Sequence, residues 1–177
     1  MNKQLLVFNP SIEDGGVEKN LFLITNYLAN KRIDITVISS DKNQRNKFNK
    51  NVKFSYPKNV NFKNSGKYKK YFYSLIVLFK KIISTRDVVV LSFQANIYTI
   101  LICKIFNIKV IVRLNTAPQG WGHNFFKYQI YKFFIRRADG VIVNSLNFKN
   151  EIKLRYNVTS QLILNPFDFE YIKLLSN

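Results

Sequence analysis

The strongest constraint on the fold of this chain is a regular alternation of short apolar runs with longer amphipathic patterns. Residues 4–8 form the first apolar run, and Val17, Leu21, Ile24 and Leu28 then recur at spacings of four, three and four residues. Such spacing places apolar side chains on one face of a helix. Short runs that are apolar throughout and separated by helices are typical of parallel strands buried on both faces of a sheet. The alternation therefore predicts an α/β domain with a doubly wound, Rossmann-like parallel sheet.

The same pattern continues almost to the end of the chain. We predict strands at residues 4–8, 33–39, 88–93, 110–114, 140–143 and 161–164, and one or two short strands around Pro57 within residues 52–62. We predict helices at residues 17–28, 67–83, 124–137 and 145–156, and a further helix that ends near residue 106. Residues 41–51 and 115–122 are predicted to be loops. Ligands of such sheets bind beyond the carboxyl ends of the strands. The loops after Phe8, Phe93, Leu114 and Val143 are therefore the places where we expect a site.

Size and composition fit one ordinary domain. The chain has 177 residues, 47% of them hydrophobic, which is enough to bury a core and too much for a disordered segment. The single cysteine, Cys103, lies in an apolar stretch, so we expect no disulfide and a reducing compartment. We also expect no signal peptide, because the first residues run directly into a strand, and no membrane span, because there is no run of about 18 apolar residues.

The charge of the chain is strongly positive and unevenly distributed. The formal net charge is +18, and the stretch from Asp41 to Thr85 holds twelve Lys and Arg residues against Asp41 as its one acid. A field of this kind favours an anionic partner, either a membrane surface or a nucleic acid. No RRM, KH or helix-turn-helix signature accompanies it, so nucleic acid is not expected.

Two aromatic, basic segments are candidates for contact with a membrane surface. Residues 71–79 are apolar and aromatic, and the lysines that flank them are Lys67, Lys69, Lys70, Lys80 and Lys81. Nine helical residues cover only about 14 Å, half of a bilayer core of about 30 Å. The segment cannot span, but it can lie at an interface with its lysines reaching lipid phosphates. Residues 125–137 have a similar mix, and either segment can equally be a sheet-covering helix with charged ends.

The loop after the first strand carries two adjacent glycines, Gly15 and Gly16, at the start of a helix. Glycines there let the backbone approach a ligand closely, and the free amides of a helix start can hold phosphate. The loop is neither a Walker loop nor a dinucleotide fingerprint, because no Gly-Lys-Ser/Thr follows and the Gly-x-Gly-x-x-Gly spacing is missing. A plain tight turn explains the pair equally well.

Five segments in order resemble the family 4 glycosyltransferases. The sequence at residues 14–19 is DGGVEK, followed by a helix ending near residue 30 and a strand at residues 35–38, as in the opening of that family. Residues 88–93 and 110–115 are similar to its later strands. Residues 138–145, ADGVIVNS, resemble a strand and helix cap of the family, and residues 162–168, LILNPFD, resemble the hinge into its second domain.

The resemblance implies the N-terminal half of a GT-B fold, with residues 1–164 as the acceptor-side domain and residues 165–177 as the hinge and the start of a C-terminal domain. It implies transfer of a sugar from a nucleotide diphosphate sugar, normally with retention at the anomeric carbon. The nucleotide of that co-substrate is held mainly by the C-terminal half. We expect that half to be a separate partner, and residues 1–177 to be inactive without it, either as a subunit of a split enzyme or as the remnant of an interrupted gene.

The resemblance also implies roles for individual residues. Gly15 and Gly16 would face the donor phosphates, and the candidates for binding the acceptor or the sugar are Glu13, Asp14, Arg113 and Asn115. Asn115 stands close to where many members of the family have a histidine, and it either binds a sugar hydroxyl or caps the turn that follows. Glu13 and Asp14 can equally be solvated acids at a helix start. We assign no catalytic residue.

Other site types find little support in the sequence. The one histidine, His123, has no strong partner and suits a loop better than a general base. The sequence contains neither a Cys/His cluster nor an Asp-x-Asp motif that would indicate a metal site. No cofactor is expected beyond the nucleotide sugar.

The expected acceptor is a glycan or a lipid-linked sugar of cell-envelope polysaccharide or glycolipid synthesis. The expected location is the cytoplasm, with peripheral binding to the inner face of the cytoplasmic membrane. The alternative is a non-catalytic basic module that binds an anionic membrane or a nucleic acid.

Overall fold

A computed structural model describes residues 3–13, 15–62, 65–85, 87–115 and 125–167. The strands are β1 (Gln4–Phe8), β2 (Ile35–Ile38), β3 (Lys53–Ser55), β4 (Val88–Ser92), β5 (Lys109–Arg113), β6 (Gly140–Val143) and β7 (Gln161–Leu162), and the helices are α1 (Gly16–Asn30), α2 (Lys67–Ser84), α3 (Asn96–Ile105), α4 (Phe125–Ile135) and α5 (Leu146–Tyr156). A 3-10 helix spans Lys42–Lys47.

The strands form one parallel sheet in the order β3-β2-β1-β4-β5-β6-β7. Leu6 of β1 pairs with Thr36 of β2 on one side and with Val90 of β4 on the other, so the first strand lies inside the sheet. The chain runs from β1 towards one edge and, after α2, from β4 towards the other. The predicted doubly wound α/β fold is confirmed.

Alternate residues of each strand face opposite layers, as the two-residue period of a strand requires. Leu6 and Phe8 of β1 lie in a cluster with the buried side chains of α2, α3, α4 and α5. Val7, between them, lies in a second cluster with Leu21 and Ala29 of α1. Four helices therefore cover one face of the sheet, and α1 covers part of the other.

Three local predictions need correction. The predicted loop at residues 41–51 contains the 3-10 helix, and Arg45 Nη1 donates to the carbonyl oxygens of Phe48 and Asn49, just after its last residue. The strand within residues 52–62 is limited to β3. The predicted strand at 161–164 pairs only through Gln161 and Leu162, because its neighbour β6 ends at Val143, the partner of Leu162.

Asp139, in the ADGVIVNS segment, has a structural role. Its backbone N–H donates to Val110 O, and its Oδ2 accepts from Val110 N at 2.8 Å and from Lys104 Nζ at 2.6 Å. Burial raises the pKa of Asp139, but these hydrogen bonds outweigh burial and hold the pKa below its ordinary value of 3.8. The carboxylate thus joins α3, β5 and the start of β6.

We expect Asp139→Asn to lower the free energy of unfolding by about 1 kcal/mol at pH 7, because an amide accepts the lysine bond less well than a carboxylate does. A depressed folded-state pKa gives stability that is complete above the unfolded-state pKa and is lost as pH falls through the folded value. The difference between variant and wild type should therefore shrink below about pH 4. Urea unfolding of the variant and of wild type at pH 7 and pH 3 measures this difference in the free energy of unfolding.

Asp87→Asn is the matched control, because Asp87 lies 3.7 Å from Lys3 and both side chains are exposed. That change should stay within about 0.5 kcal/mol at both pH values. Equal losses in the two variants would contradict the structural role of Asp139.

Candidate functional site

The candidate site lies at the carboxyl ends of β1 and β4, where the sheet reverses its direction of growth. Neighbouring connections diverge at this point to opposite faces and leave a crevice, the usual ligand position in an open α/β sheet. Residues 9–13, 15 and 16 border the crevice on the β1 side, and Gln94 and Ala95 border it on the β4 side. Ala95 has a φ of 55°, the left-handed region that non-glycine residues rarely adopt.

The loop after β1 is held by contacts with distant parts of the chain. Asn9 is fully buried, and its Nδ2 donates to Ser11 O at 2.9 Å. The backbone N–H of Ile12 donates to Asp41 Oδ2 at 2.8 Å, and that of Ser40 donates to Pro10 O at 3.1 Å. These bonds hold residues 9–12 in place at the end of β1.

Gly15 and Gly16 face different surroundings. Gly15 is the N-cap of α1 with φ −152°, an extended conformation that any residue adopts, so the backbone conformation does not require glycine there. A Cβ on Gly15 would lie 2.8 Å from Glu18 Oε2, whereas a Cβ on Gly16 would meet nothing within 4 Å among the described residues. Gly16 is exposed and leaves the first turn of α1 open to a ligand.

Glu18 lies beneath Gly15 and connects the two sides of the crevice. It is only 5% exposed, and its Oε1 accepts from Gln94 Nε2 at 3.1 Å. The hydroxyl of Tyr71, on α2, donates to Gln94 Oε1 at 3.2 Å. Burial raises the pKa of Tyr71, although Lys67 acts against it. The chain Glu18–Gln94–Tyr71 thus ties the start of α1 to the loop after β4 and to α2.

A hollow of about 450 Å³ opens beside this loop, lined in part by Glu13, Gly15, Gly16 and Lys19. Glu13 is exposed, and its Oε1 accepts from the Ser11 hydroxyl at 3.2 Å. A carboxylate held in this way at the rim can accept hydrogen bonds from hydroxyl groups of a ligand. The other predicted acid of this loop, Asp14, lies outside the described residues.

Asn115 follows β5 and is half-buried. Its Nδ2 donates to Phe93 O at 2.8 Å, which ties the end of β5 to the end of β4. Asn96, at the start of α3, donates to Arg113 O at 3.2 Å and adds a second tie. One N–H of the Asn115 amide is therefore used by the protein, and its Oδ1 can accept a hydrogen bond from a ligand.

Arg113 is almost completely buried, with 1% of its surface exposed. Its Nη2 donates to Ile163 O at 3.3 Å and to Asn165 Oδ1 at 2.9 Å, and its Nε has no partner among the described residues. Burial lowers the pKa of Arg113. The guanidinium thus lies under the segment that follows β7, and the contacts that the structure describes for it are neutral oxygens.

The five lysines predicted at a membrane surface differ in their surroundings. Lys67, Lys69 and Lys80 are exposed on α2. Lys70 is turned inward, where its Nζ lies 2.7 Å from Asp41 Oδ1 and both side chains are less than one-fifth exposed. Lys80 and Lys81 line a groove of about 720 Å³ between α2 and the segment after β3.

Some predictions fall on residues that the structure does not describe. Trp121 and His123 lie outside the described residues, and so do Asp168 and the rest of the predicted second-domain segment. Within the described ranges, no group of three or more His, Cys, Asp and Glu residues is arranged to hold a metal ion. None of the helices in those ranges has the length and apolar character needed to cross a bilayer.

Sequence reasoning missed the Glu18–Gln94–Tyr71 chain. A glutamate three residues after an N-cap is the spacing of a capping box, which was the available signal for Glu18. No signal pointed to Gln94 or Tyr71, because their relation to Glu18 depends on how the sheet brings separate loops together.

One protein-family model matches most of the chain. The model of Glycosyltransferase Family 4 matches residues 14–171. No curated protein sequence matches the chain at a significant level.

Solved structures similar to the chain include three from different organisms, and two of the three contain UDP or a UDP sugar. HepE of Anabaena, in complex with UDP and glucose, has a TM-score of 0.68 at 15% identity, covering 95% of this chain and 46% of that one. UGT2 of Phytolacca americana, complexed with UDP-2fluoro-glucose and pterostilbene, has a TM-score of 0.62 at 11% identity, covering 98% and 57%. MurG of Acinetobacter baumannii has a TM-score of 0.58 at 11% identity, covering 92% and 45%.

At these identities the likeness concerns the fold, and the chain spans about half the length of the structures that it matches. The predicted fold class, one Rossmann-like half of a GT-B architecture, is confirmed.

Proposed function

The chain belongs to glycosyltransferase family 4, and we propose that it forms the acceptor-side half of an enzyme that transfers a sugar from a nucleotide diphosphate sugar. The observation that carries the proposal is the open first turn of α1 at the point where the sheet reverses. Gly16 leaves that turn uncovered, and the N-cap Gly15 makes no side-chain hydrogen bond to it. Its amides and the positive end of the helix dipole suit the phosphates of a donor.

The donor would approach this turn from the open side of the crevice. A diphosphate placed against Gly16 would leave its nucleoside on the far side, beyond the described residues. A second Rossmann-like half would hold that nucleoside and exclude water from the phosphates. We therefore propose that residues 1–177 alone do not transfer sugar, whether the donor-binding half follows in the same polypeptide or is a separate chain.

The acceptor would lie against the rim formed by the loops after β1 and β5. Glu13 offers a carboxylate there, and Asn115 offers an amide oxygen. Asp14 belongs to the same proposed set from its place in the sequence. Arg113 acts in this proposal by fixing the segment around Asn165, because its Nη2 donates to Ile163 O and Asn165 Oδ1 and its side chain is almost completely buried.

We propose that the transfer retains the anomeric configuration, as is normal for the family, and that it serves cell-envelope polysaccharide or glycolipid synthesis. The acceptor would be a glycan or a lipid-linked sugar. The exposed lysines of α2, which are Lys67, Lys69 and Lys80, with Lys81 beside them, support binding to the anionic inner face of the cytoplasmic membrane.

Thermal-shift measurements test the donor part of the proposal. Residues 1–177 should show little or no rise in melting temperature with UDP-, GDP-, ADP- or dTDP-linked sugars. The chain assembled with its donor-binding half should show a clear rise with one of them, because a ligand that binds only the folded state stabilises it. Lack of a rise with every nucleotide sugar in the assembled protein would contradict the proposal and favour a non-catalytic basic module.

A further inference from the structure

The face of α2 that packs on the sheet is apolar in its second half and polar nearer its start. Leu78 and Ile82 on this face belong to the apolar core, whereas Ser74, one turn earlier, is fully buried and polar. Because α2 follows β3 in a parallel sheet, its first turns lie towards the carboxyl ends of the strands, where the crevice is. Buried hydroxyls are nearly always hydrogen-bonded. The partners of Ser74 therefore show what this part of α2 holds in place.

Ser74 joins α2 to the loops after β1 and β2. Its hydroxyl oxygen lies 2.8 Å from that of Ser40, which follows β2, and 3.4 Å from Pro10 O, which follows β1. The Ser40 hydroxyl also donates to Lys70 O at 3.0 Å. Pro10, Ser40 and Ser74 are buried, so the contacts between them are shielded from water. Two loops of the crevice and one helix thus meet in a single buried polar contact.

Asp41 extends this contact with both oxygens of its carboxylate. Its Oδ2 accepts from the backbone N–H of Ile12 at 2.8 Å, and its Oδ1 accepts from Lys70 Nζ at 2.7 Å. The side chains of Asp41 and Lys70 are 18% and 17% exposed. A carboxylate at this depth, with both oxygens engaged by the protein, is placed to hold its neighbours and not to exchange a proton with a substrate.

The backbone that Asp41 holds leads directly to Glu13, the exposed carboxylate of the proposed acceptor rim. Ile12 is 4% exposed and packs in the cluster that contains Leu21 of α1. Its side chain is thus anchored on one side and its amide on the other. The contact described for the Glu13 side chain is the Ser11 hydroxyl at 3.2 Å. The position of the Glu13 carboxylate therefore depends mainly on the backbone that precedes it.

We propose that Asp41 is a positioning residue for the acceptor: its carboxylate fixes the backbone of Ile12 and thereby holds Glu13 at the rim. This inference rests on the proposed function and deepens its acceptor part. Lys70 offsets the charge of the carboxylate, because a charge at this depth is costly without a partner.

The donor side of the same loop has a separate support. Glu18 and Gln94 hold the end of the loop that leads into α1, whereas Asp41 holds the end that leaves β1. Loss of the Asp41 carboxylate should therefore disturb the acceptor rim and leave the first turn of α1 in place.

Steady-state kinetics of the assembled two-half enzyme test the inference. The probes are a membrane extract of lipid-linked acceptors, titrated by its lipid phosphate, and the nucleotide sugar that wild type transfers. Asp41→Ala should raise the KM for the acceptor about tenfold, the loss expected for one hydrogen bond to a charged group. The KM for the nucleotide sugar should change less than about threefold, and so should the kcat at saturating acceptor, because the lost contact serves ground state and transition state alike.

Two variants separate the hydrogen bond to Ile12 from the ion pair with Lys70. Asp41→Asn has one oxygen for two donors, Ile12 N–H and Lys70 Nζ, so it should also raise the KM for the acceptor. Asp41→Asn combined with Lys70→Met removes the competing donor, and the amide oxygen can then accept from Ile12 N–H. This double variant should return the KM to within about threefold of wild type. A double variant as impaired as Asp41→Ala would overturn the inference, because the ion pair would then be the contact that matters.

Asp34→Asn is the matched control. Asp34 precedes β2 as Asp41 follows it, and its Oδ1 lies 2.8 Å from Lys53 Nζ in a corresponding ion pair. Because Asp34 lies at the end of the sheet opposite the crevice, Asp34→Asn should keep the wild-type KM for both substrates. All variants are compared at a temperature at which their circular dichroism equals that of wild type. Equal rises in acceptor KM for Asp34→Asn and Asp41→Asn would overturn the inference, since loss of either ion pair would then have the same effect.

Hydrogen exchange of the Ile12 amide gives a second readout that does not depend on sugar transfer. In the assembled enzyme, Asp41→Ala should speed this exchange at least about tenfold, and the double variant should keep it close to wild type. Unchanged protection of the Ile12 amide in Asp41→Ala would overturn the inference. Absence of transfer by wild type with every nucleotide sugar would refute the proposed function, whereas wild-type transfer with an unchanged acceptor KM in Asp41→Ala would refute the inference alone.

Discussion

Glu18→Ala is expected to lower sugar transfer by the assembled two-half enzyme about 100-fold, because displacement of a binding loop by about 1 Å can cost that much. Glu18 is buried, lies beneath Gly15 and accepts from Gln94 Nε2 across the crevice. Its removal would leave Gln94 without this acceptor and would leave a space under the N-cap of α1. The free energy of unfolding should also fall by about 1–3 kcal/mol. Steady-state transfer kinetics and urea unfolding measure the two effects.

Three further variants separate position from charge at this site. Glu18→Gln keeps the acceptor oxygen and the shape, so we expect it to retain most of the transfer rate. Gly15→Ala should reproduce part of the loss, because its methyl group would lie 2.8 Å from Glu18 Oε2. Gly16→Ala should leave stability unchanged and raise the KM for the nucleotide sugar, because the methyl group meets no described atom but occupies the approach of the donor. Full activity of Glu18→Ala would refute the role of the Glu18–Gln94–Tyr71 chain.

Arg113→Met should have opposite effects on activity and stability. Replacement of a buried charge by an apolar side chain of similar volume is often neutral or stabilising, and the contacts described for Arg113 are neutral oxygens. We therefore expect the melting temperature to stay unchanged or to rise. Transfer by the assembled enzyme should fall roughly 10- to 100-fold, because the segment around Asn165 would lose the bond that fixes it. Differential scanning fluorimetry and the transfer assay measure the two effects.

Arg113→Lys is the informative comparison. It keeps the positive charge in the interior but loses Nη2, the guanidinium nitrogen that donates to both Ile163 O and Asn165 Oδ1. We expect it to be less stable than wild type and as inactive as Arg113→Met. A fall of several kcal/mol in the free energy of unfolding of Arg113→Met would show that the arginine is retained for stability. Full activity of Arg113→Met would show that Arg113 does not position Asn165 for transfer.

The fold could be predicted because its signal is local. The apolar run of β1 and the three-four spacing of α1 are each visible within about fifteen residues, and parallel strands buried on both faces differ clearly from amphipathic ones. The shortest elements, the 3-10 helix and β7, were harder to predict. The 3-10 helix at Lys42–Lys47 depends on the reach of Arg45 to nearby carbonyl oxygens, and the short β7 depends on where β6 ends.

The site could be predicted only in part, because its contacts join residues that are far apart in sequence. Gly15 and Gly16 were visible as a glycine pair at a strand-to-helix junction. Glu18 and Gln94, 76 positions apart, meet only because β1 and β4 are neighbours in the sheet. Arg113 was predicted at the acceptor, but its hydrogen-bond partners lie 50 and 52 residues later, beyond β7.

Which side chains of α3 lie on the outer surface of the helical layer also could not be predicted from the sequence alone. The apolar character of α3 is evident from its sequence, but an apolar helix can be buried on every side. Only its place between α2 and α4 leaves Tyr98, Leu101 and Ile105 facing outward.

A transfer assay tests the central claim most directly. Residues 1–177, the donor-binding half, and the two together would each be incubated with radiolabelled nucleotide sugars and a membrane extract that supplies lipid-linked acceptors. The donor-binding half is the segment that follows in the same polypeptide or, if it is encoded separately, the product of the neighbouring reading frame with two glutamates separated by seven residues. We predict labelled lipid or glycan only with the two halves together, and loss of that label with Glu18→Ala. Transfer by residues 1–177 alone at ordinary enzyme rates, or no transfer by the assembled pair with any nucleotide sugar, would contradict the claim that this chain is the acceptor-side half of a glycosyltransferase.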